Sequence, residues 1–276
     1  MSRRYTLGFI GAGNMAEAIL RAALAKGVLE PERVAAFDPS PDRRRILADL
    51  GVAILEDNDS VATQSEQLLL AIKPQALAQV APTLTGLIQP SQVIISILAG
   101  VSTARLARAI AGDSDDAQSL RVIRVMPNTP MMVGQGMSAI ALGPGAQAGD
   151  EALAMRLFSA GGRVIRVDES LMDAVTAVSG SGPAYVFYLA EAMERAAGEL
   201  GLAEHARLLV SQTLLGAAML LNESGQPPAE LRRRVTSPGG TTEAAIKHLD
   251  ASRAQQIIVE AIHAACRRSL ELGGQD

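Results

Sequence analysis

Small hydroxyl side chains grouped with glycines are the residues whose spacing in this sequence could do chemistry. Thr236-Ser237-Pro238-Gly239-Gly240-Thr241-Thr242 precedes an amphipathic stretch. A helix opening there would leave backbone N–H groups unpaired, with glycines admitting close approach and the hydroxyls of Ser237, Thr241 and Thr242 beside them. That combination suits an anion such as a carboxylate. An N-capping turn after a Pro-Gly stop would use the same spacing. Two further segments stand apart from ordinary helical packing. Arg124-Val125-Met126-Pro127-Asn128-Thr129-Pro130 closes a strand with two prolines, and Ser179-Gly180-Ser181-Gly182-Pro183 leads into a long helix.

Near the N-terminus, Gly11-Ala12-Gly13-Asn14-Met15-Ala16 fits G-x-G-x-x-A directly after an apolar strand and at a helix start. Gly11 would permit the tight turn, Gly13 would let the main chain approach a pyrophosphate, and Ala16 would keep helix and strand close. A plain glycine turn needs no more than this; the position in a strand–helix series is what favours a dinucleotide. The second strand ends at Asp38, followed by Pro39-Ser40-Pro41-Asp42-Arg43-Arg44-Arg45. An acidic residue there would bind a ribose 2′-OH and favour NAD, while arginine would accommodate the 2′-phosphate of NADP. Both are present, so the choice between NADP and NAD stays open. Asp38 and Ser40 would otherwise be turn or capping residues and the arginines a solvated face. Lys73 precedes Pro74 at a strand end, either facing the cofactor or simply ending the strand.

His205, His248 and His263 are the only histidines, each in a stretch of helical spacing with no partner motif, so packed or solvated roles are expected. No H-E-x-x-H, metal-spaced carboxylate cluster or G-x-S-x-G is present, and no metal is expected. Cys266 is the sole cysteine. It excludes an intramolecular disulfide or thiolate zinc site, fits a reducing cytoplasm, and is expected to be a small core residue.

The elements that must position these groups follow from apolar patterning over 276 residues. Strands are expected at Tyr5–Ile10, Arg33–Phe37, Gln67–Ile72, Gln92–Ile97, Leu120–Met126, Met137–Leu142 and Val164–Val167. Helices intervene through about Lys26 and over Asp42–Leu50, Ala76–Leu87, Thr103–Ile110 and Asp150–Ser159. Such alternation predicts βαβ units and a parallel sheet buried on both faces. After Asp168 no strand is expected. Helices are predicted at Leu171–Val178, Pro183–Leu200, Ala203–Ser224, Pro228–Val235, Thr242–Leu249 and Ser252–Leu272, with Gly201 and Gly225 as C-caps. The expected architecture is α/β: a Rossmann-like dinucleotide-binding domain over 1–167, then an all-helical domain over 168–276. The helical part carries more apolar face than it can bury alone, so self-association through it is expected. With 25 Lys plus Arg against 29 Asp plus Glu, the net charge of −4 offers no basic field for nucleic acid. No apolar run approaches the roughly 18–20 residues that span a bilayer. The first residues carry no secretory pattern, and a cytoplasmic protein is expected.

Taken together, these segments resemble the pyrroline-5-carboxylate reductases of proline biosynthesis over essentially the full length. The resemblance runs through Gly8–Ala16, Lys73-Pro74-Gln75, Met126–Pro130 and Ser179–Tyr185. Its most specific stretch is Val235–Thr242, followed by Ala245-Ile246 and Leu249-Asp250. It implies NAD(P)H-dependent reduction of 1-pyrroline-5-carboxylate to L-proline by a dimer, or a higher oligomer of dimers, whose active site lies between the domains. It further implies that Gly11, Ala12, Gly13, Asn14 and Met15 hold the pyrophosphate and that Asp38 and Ser40 lie by the adenosine ribose. Asn58, Ala71, Lys73 and Pro74 would follow the cofactor channel. Ser237, Gly240 and Thr241 would bind the substrate carboxylate, and Thr242 would reach the ring nitrogen as the catalytic hydroxyl. A β-hydroxyacid dehydrogenase would instead place a lysine on a C-terminal helix, and Lys247, the only lysine after residue 168, lacks that context. A catalytically silent dinucleotide-binding regulator is the remaining alternative; the intact Ser237–Thr242 segment speaks against it.

Overall fold

The computed structural model describes residues 4–112 and 115–274. Contacts divide the chain into two units: the first runs to Ser181 and regains the chain from Ala265 onward, and the second is Gly182–Ala264. This division falls later than the 167/168 boundary expected from the strand pattern, because the short helices after residue 168 pack on the sheet.

In the first unit the order is β1 (Tyr5–Ile10), α1 (Asn14–Ala25), β2 (Val34–Phe37), α2 (Pro41–Ala48), β3 (Ala53–Ile54), α3 (Asn58–Gln64), β4 (Ser65–Leu70), α4 (Leu77–Leu84), β5 (Val93–Ser96), α5 (Thr103–Ala111), β6 (Arg121–Met126), β7 (Gly136–Leu142), α6 (Ala152–Ala160), β8 (Gly162–Arg166) and α7 (Met172–Val175). The eight strands form one sheet in the order β3-β2-β1-β4-β5-β6-β7-β8. Strand order therefore reverses between β1 and β4, the point where open α/β sheets take a dinucleotide.

Alternation along each strand sends side chains to two helical layers. Leu69, Ile95 and Ile123 join Ile19, Leu20, Leu157 and Phe158 on one face; Leu68, Leu70 and Ile94 meet Val61, Leu84, Leu106 and Ile110 on the other. Each fully buried aliphatic side chain stabilises the fold by about 1.5–3 kcal/mol. The parallel sheet expected from the sequence needs correction at one edge: β7 runs antiparallel to β6, and β8, parallel to β7, shares its reversed direction. The connection, residues 127–135, is shorter than the dozen or so residues a parallel crossover requires. The sequence pattern also missed β3 and α3. The strand has two residues, and the helix, NDSVATQ, is mostly polar and held by its Asp57 cap, which accepts from the Ser60 N–H at 2.8 Å.

Beyond α7 the chain continues as a π-helical turn over Thr176–Gly180, so Ser179 and Gly180 are helical rather than a loop. Then come α8 (Gly182–Glu199), α9 (Ala206–Ser224), α10 (Pro228–Arg234), α11 (Thr241–Ala251) and α12 (Ala254–Gly274). Gly201 and Gly225 end their helices with φ of +85° and +64°, and His205 stands just ahead of α9 rather than inside it. Within the second unit α8 and α11 bury no residue, and α9 only Ala206 and Val210. Phe187, Leu189, Leu208, Leu215, Leu220 and Ile257 are all exposed. No helix among the described residues is long and apolar enough to cross a membrane.

Candidate functional site

In the first unit, the candidate site starts at the turn between β1 and α1. Gly11 has φ +92°, and a β-carbon there would lie 2.8 Å from the Ala71 carbonyl oxygen, so the turn admits only glycine. Its N–H donates to the Phe37 carbonyl at 2.9 Å. Gly13 behaves differently: with φ −65° it is the N-cap of α1, no side chain caps the helix, and a β-carbon would meet nothing within 4 Å. That open space beside an uncapped helix start suits an anionic group. Ala16 is fully buried, which keeps α1 close to the sheet.

Beside this turn runs an open groove of about 510 Å³. Gly13, Asn14 and Met15 form its start, Ala71, Ile72, Lys73 and Pro74 its middle, and Ile97, Ala99, Met126 and Pro127 its far wall. Both Ala71 and Ile97 are fixed from behind, since their N–H groups donate to Ile10 and Leu70 carbonyls at 2.8 and 3.1 Å. Three of the expected channel residues thus lie in this groove. Asn58 does not line it; its side-chain amide donates to Thr83 Oγ1 at 3.3 Å. The far wall is what the sequence reading missed. Met126 and Pro127 were conspicuous as a motif, but only the alignment of β5 with β6 brings them beside Ala99.

Asp38 braces the glycine turn. Its Oδ2 accepts from the Ala12 N–H at 2.7 Å and its Oδ1 from the Ser40 N–H at 2.9 Å. Ser40 caps α2, accepting from the Arg43 N–H at 3.4 Å. Arg43 in turn donates to the Ala12 carbonyl and, at 2.8 Å, to Glu17. The Arg21 hydrogen bond, against some burial and with help from Arg43, holds the Glu17 carboxyl below the ordinary carboxylate range. Arg44 lies over the Phe37 ring and donates to the Asp38 carbonyl at 2.8 Å. Among the described residues, neither Arg44 nor Arg45 is in an ion pair.

Asn128 bolts the two-proline loop to the π-helical turn. Its amide nitrogen donates to the Ser179 carbonyl at 3.2 Å, and its oxygen accepts from the Met137 N–H at 2.8 Å. A β-carbon on Gly180 would stand 2.3 Å from Met126 Cε, so that glycine makes room for a groove residue.

A separate candidate site lies within the second unit. Gly240 donates to the Ser237 carbonyl at 3.0 Å, closing a turn with Pro238 and with Gly239 at φ +71°, as a type II turn requires. The Gly239 N–H is held at 2.8 Å by Glu243 Oε2, itself 3.3 Å from Lys247 Nζ. Gly240 is the N-cap of α11, and no side chain caps that helix. Ser237 Oγ lies where a Gly240 β-carbon would stand, 2.5 Å away, so the hydroxyl is tucked against the helix start. The Thr236 hydroxyl is already spent on the Arg232 carbonyl at 2.7 Å. This geometry brings Ser237, Gly240, Thr241 and Thr242 to one uncapped helix start with its partial positive charge. No group of three or more His, Cys, Asp or Glu residues able to hold a metal occurs among the described residues.

A family model described as pyrroline-5-carboxylate reductase dimerisation matches residues 169–272, and one described as NADP oxidoreductase coenzyme F420-dependent matches residues 6–100. The chain is 45% identical to a pyrroline-5-carboxylate reductase of Synechocystis, over 97% of this chain and 98% of that one. The solved pyrroline-5-carboxylate reductase of Coxiella burnetii superposes with a TM-score of 0.85 at 34% identity, covering 99% of this chain and 100% of that one. The Plasmodium falciparum pyrroline carboxylate reductase, solved with NADP bound, gives 0.84 at 26% identity over 99% of this chain and 100% of that one.

Proposed function

The chain belongs to the pyrroline-5-carboxylate reductase family, and on that premise we propose that it reduces 1-pyrroline-5-carboxylate to L-proline with NAD(P)H. The observation that carries this reading is the uncapped, hydroxyl-lined start of α11 in a chain that also holds an open dinucleotide groove. NAD(P)H supplies a hydride and its two electrons; the imine carbon receives them and the ring nitrogen ends with the proton.

The chain's own residues bind, orient and exclude water. Gly13, Asn14 and Met15 offer the α1 start to the pyrophosphate, and the open space at Gly13 fits such a group. Gly11 and Ala12 shape that turn, Asp38 and Ser40 lie by the adenosine ribose, and Ala71, Lys73 and Pro74 follow the groove. The Ser237 hydroxyl and the Thr241 N–H take the substrate carboxylate, with Gly240 leaving room beside them, and the Thr242 hydroxyl holds the ring nitrogen. No histidine or lysine acid is needed, because a cyclic imine is partly protonated near neutral pH and its iminium is already electrophilic. Alignment of the two reactants is then the main contribution, a term that reaches about 7–11 kcal/mol in well-oriented systems.

Both Asp38 carboxylate oxygens accept from backbone N–H groups, and Arg44, beside them through the Asp38 carbonyl, is in no ion pair among the described residues. This supports NADPH as the preferred nucleotide. Self-association through residues 168–276 as a dimer or larger assembly, and action in the cytoplasm, complete the proposal. The test is NAD(P)H oxidation followed at 340 nm with pyrroline-5-carboxylate and each nucleotide in turn. Substrate-dependent oxidation with a lower KM for NADPH is expected. A protein that oxidises neither nucleotide while binding both would favour the silent regulator.

A further inference from the structure

Ile97 and Ala99 form part of the far wall of the groove, and the next residue, Gly100, is buried with φ +73°. A β-carbon on Gly100 would stand 3.1 Å from both Leu272 Cβ and the Ser269 carbonyl oxygen, and one on Gly273 would stand 2.6 Å from the Gly100 carbonyl oxygen. The end of α12 therefore lies directly on the loop that carries Ala99, main chain against main chain.

Two fasteners hold it there. Arg105, on the first turns of α5, donates through Nη1 to the Leu272 carbonyl at 2.8 Å and the Gly273 carbonyl at 3.2 Å. These are orphan acceptors at a helix C-terminus, where a cation is also favoured by the helix dipole. Ser269, 5% exposed, donates to Asp173 Oδ1 at 2.6 Å. Asp173 pairs at 3.3 Å with Arg124, a buried residue of β6 two positions before Met126 of the same wall. Glu169, 3.6 Å from Arg124, accepts from the Thr103 N–H and hydroxyl at 2.6 Å each, at the start of α5. Both ends of the far wall are thus tied, through charged and hydrogen-bonded groups, to the last turns of the chain.

We infer that Arg105 and Ser269 are positioning residues for the nicotinamide dinucleotide: by fastening the end of α12 onto Gly100 they set where Ala99 stands in the groove. The inference rests on the reading that this groove holds NAD(P)H. Loosening either fastener lets the 97–101 loop move outward and weakens nucleotide binding, while the substrate-binding start of α11 is left as it was.

Direct titration of the full-length protein with NADPH tests this, alongside melting temperature, molar mass in solution and steady-state kinetics. Arg105→Ala is expected to weaken the NADPH Kd about tenfold, ~1.4 kcal/mol, and Ser269→Ala roughly threefold, as for loss of one modest hydrogen bond. The KM for the imine and kcat at saturating NADPH should stay within about twofold. Arg105→Lys, which keeps a donor and a charge, should recover most of the affinity. Should Arg105→Ala fail to fold, Ser269→Ala and Arg105→Lys decide by the same readouts. A wild-type protein that binds no NADPH would overturn the cofactor reading and this inference with it. Wild-type binding with equal affinity in the folded variants, or a fall in kcat with the nucleotide Kd unchanged, would overturn this inference alone.

Discussion

Adding a β-carbon at Gly11 would force a side chain into φ +92° and against the Ala71 carbonyl, whereas the same change at Gly13 meets no atom within 4 Å. The two glycines of one motif therefore separate fold from function. Gly13→Ala is expected to leave the melting temperature close to wild type and to weaken NAD(P)H binding by at least about tenfold, since the methyl occupies ligand space. Gly11→Ala is expected to cost about 1–3 kcal/mol of stability. Calorimetry and nucleotide titration on the pair measure both effects, and equal loss of stability would refute the distinction. At α11, Thr242→Ala should lower kcat at least about tenfold while leaving the NADPH Kd unchanged. A variant with wild-type turnover would remove Thr242 from the reaction.

Among the elements, β7 shows what a pattern of apolar residues leaves unsaid. The strand itself was legible from Met137–Leu142; its direction was set by the length of the connection and by Pro127 and Pro130, which the pattern does not weigh. The same applies to Asp38. Its type and place were legible, but its two hydrogen bonds to Ala12 and Ser40 depend on how β2 lies beside β1. Where α6 begins, Arg121 grips Asp150 with both a 2.8 Å bond from Nε and a second from Nη2. Burial pushes the Asp150 carboxyl up, but the Arg121 hydrogen bond and the Gln147 N–H overcome it and hold the group below the ordinary aspartate range. A carboxyl with a lowered folded-state pKa contributes stability above its unfolded value, about 3.9, and that contribution is lost as pH falls through the folded value. Asp150→Asn should therefore destabilise the protein at pH 7 and flatten the acid limb of its stability curve. The expected cost is about 1–3 kcal/mol, below the ~3–5 kcal/mol of a fully buried pair, because Arg121 keeps part of its side chain in solvent. Denaturant melts between pH 3 and 7 measure it; parallel acid limbs for wild type and variant would contradict it.

Across the whole molecule, the helical half was legible almost helix by helix, because amphipathic spacing and the glycines at 201 and 225 act locally. The far wall of the groove was not, because Ala99, Met126 and the end of α12 meet only through strand order and a return of the chain. The exposure of Leu208, Leu215 and Leu220 along α9 is what a chain carrying a dimerisation domain shows when taken singly. Placing Glu at 215 and 220 should shift the protein toward monomer in sedimentation, and an unchanged mass would mean that α9 lies outside the interface. The central claim is the grip of the α11 start on the substrate. The most direct measurement is a crystal structure of the full chain with NADP+ and L-proline. The proline carboxylate is expected within about 2.7–3.2 Å of the Ser237 hydroxyl and the Thr241 N–H, beside Gly240, with the ring nitrogen at the Thr242 hydroxyl. Proline seated elsewhere, with Ser237–Thr242 facing only solvent, would contradict it.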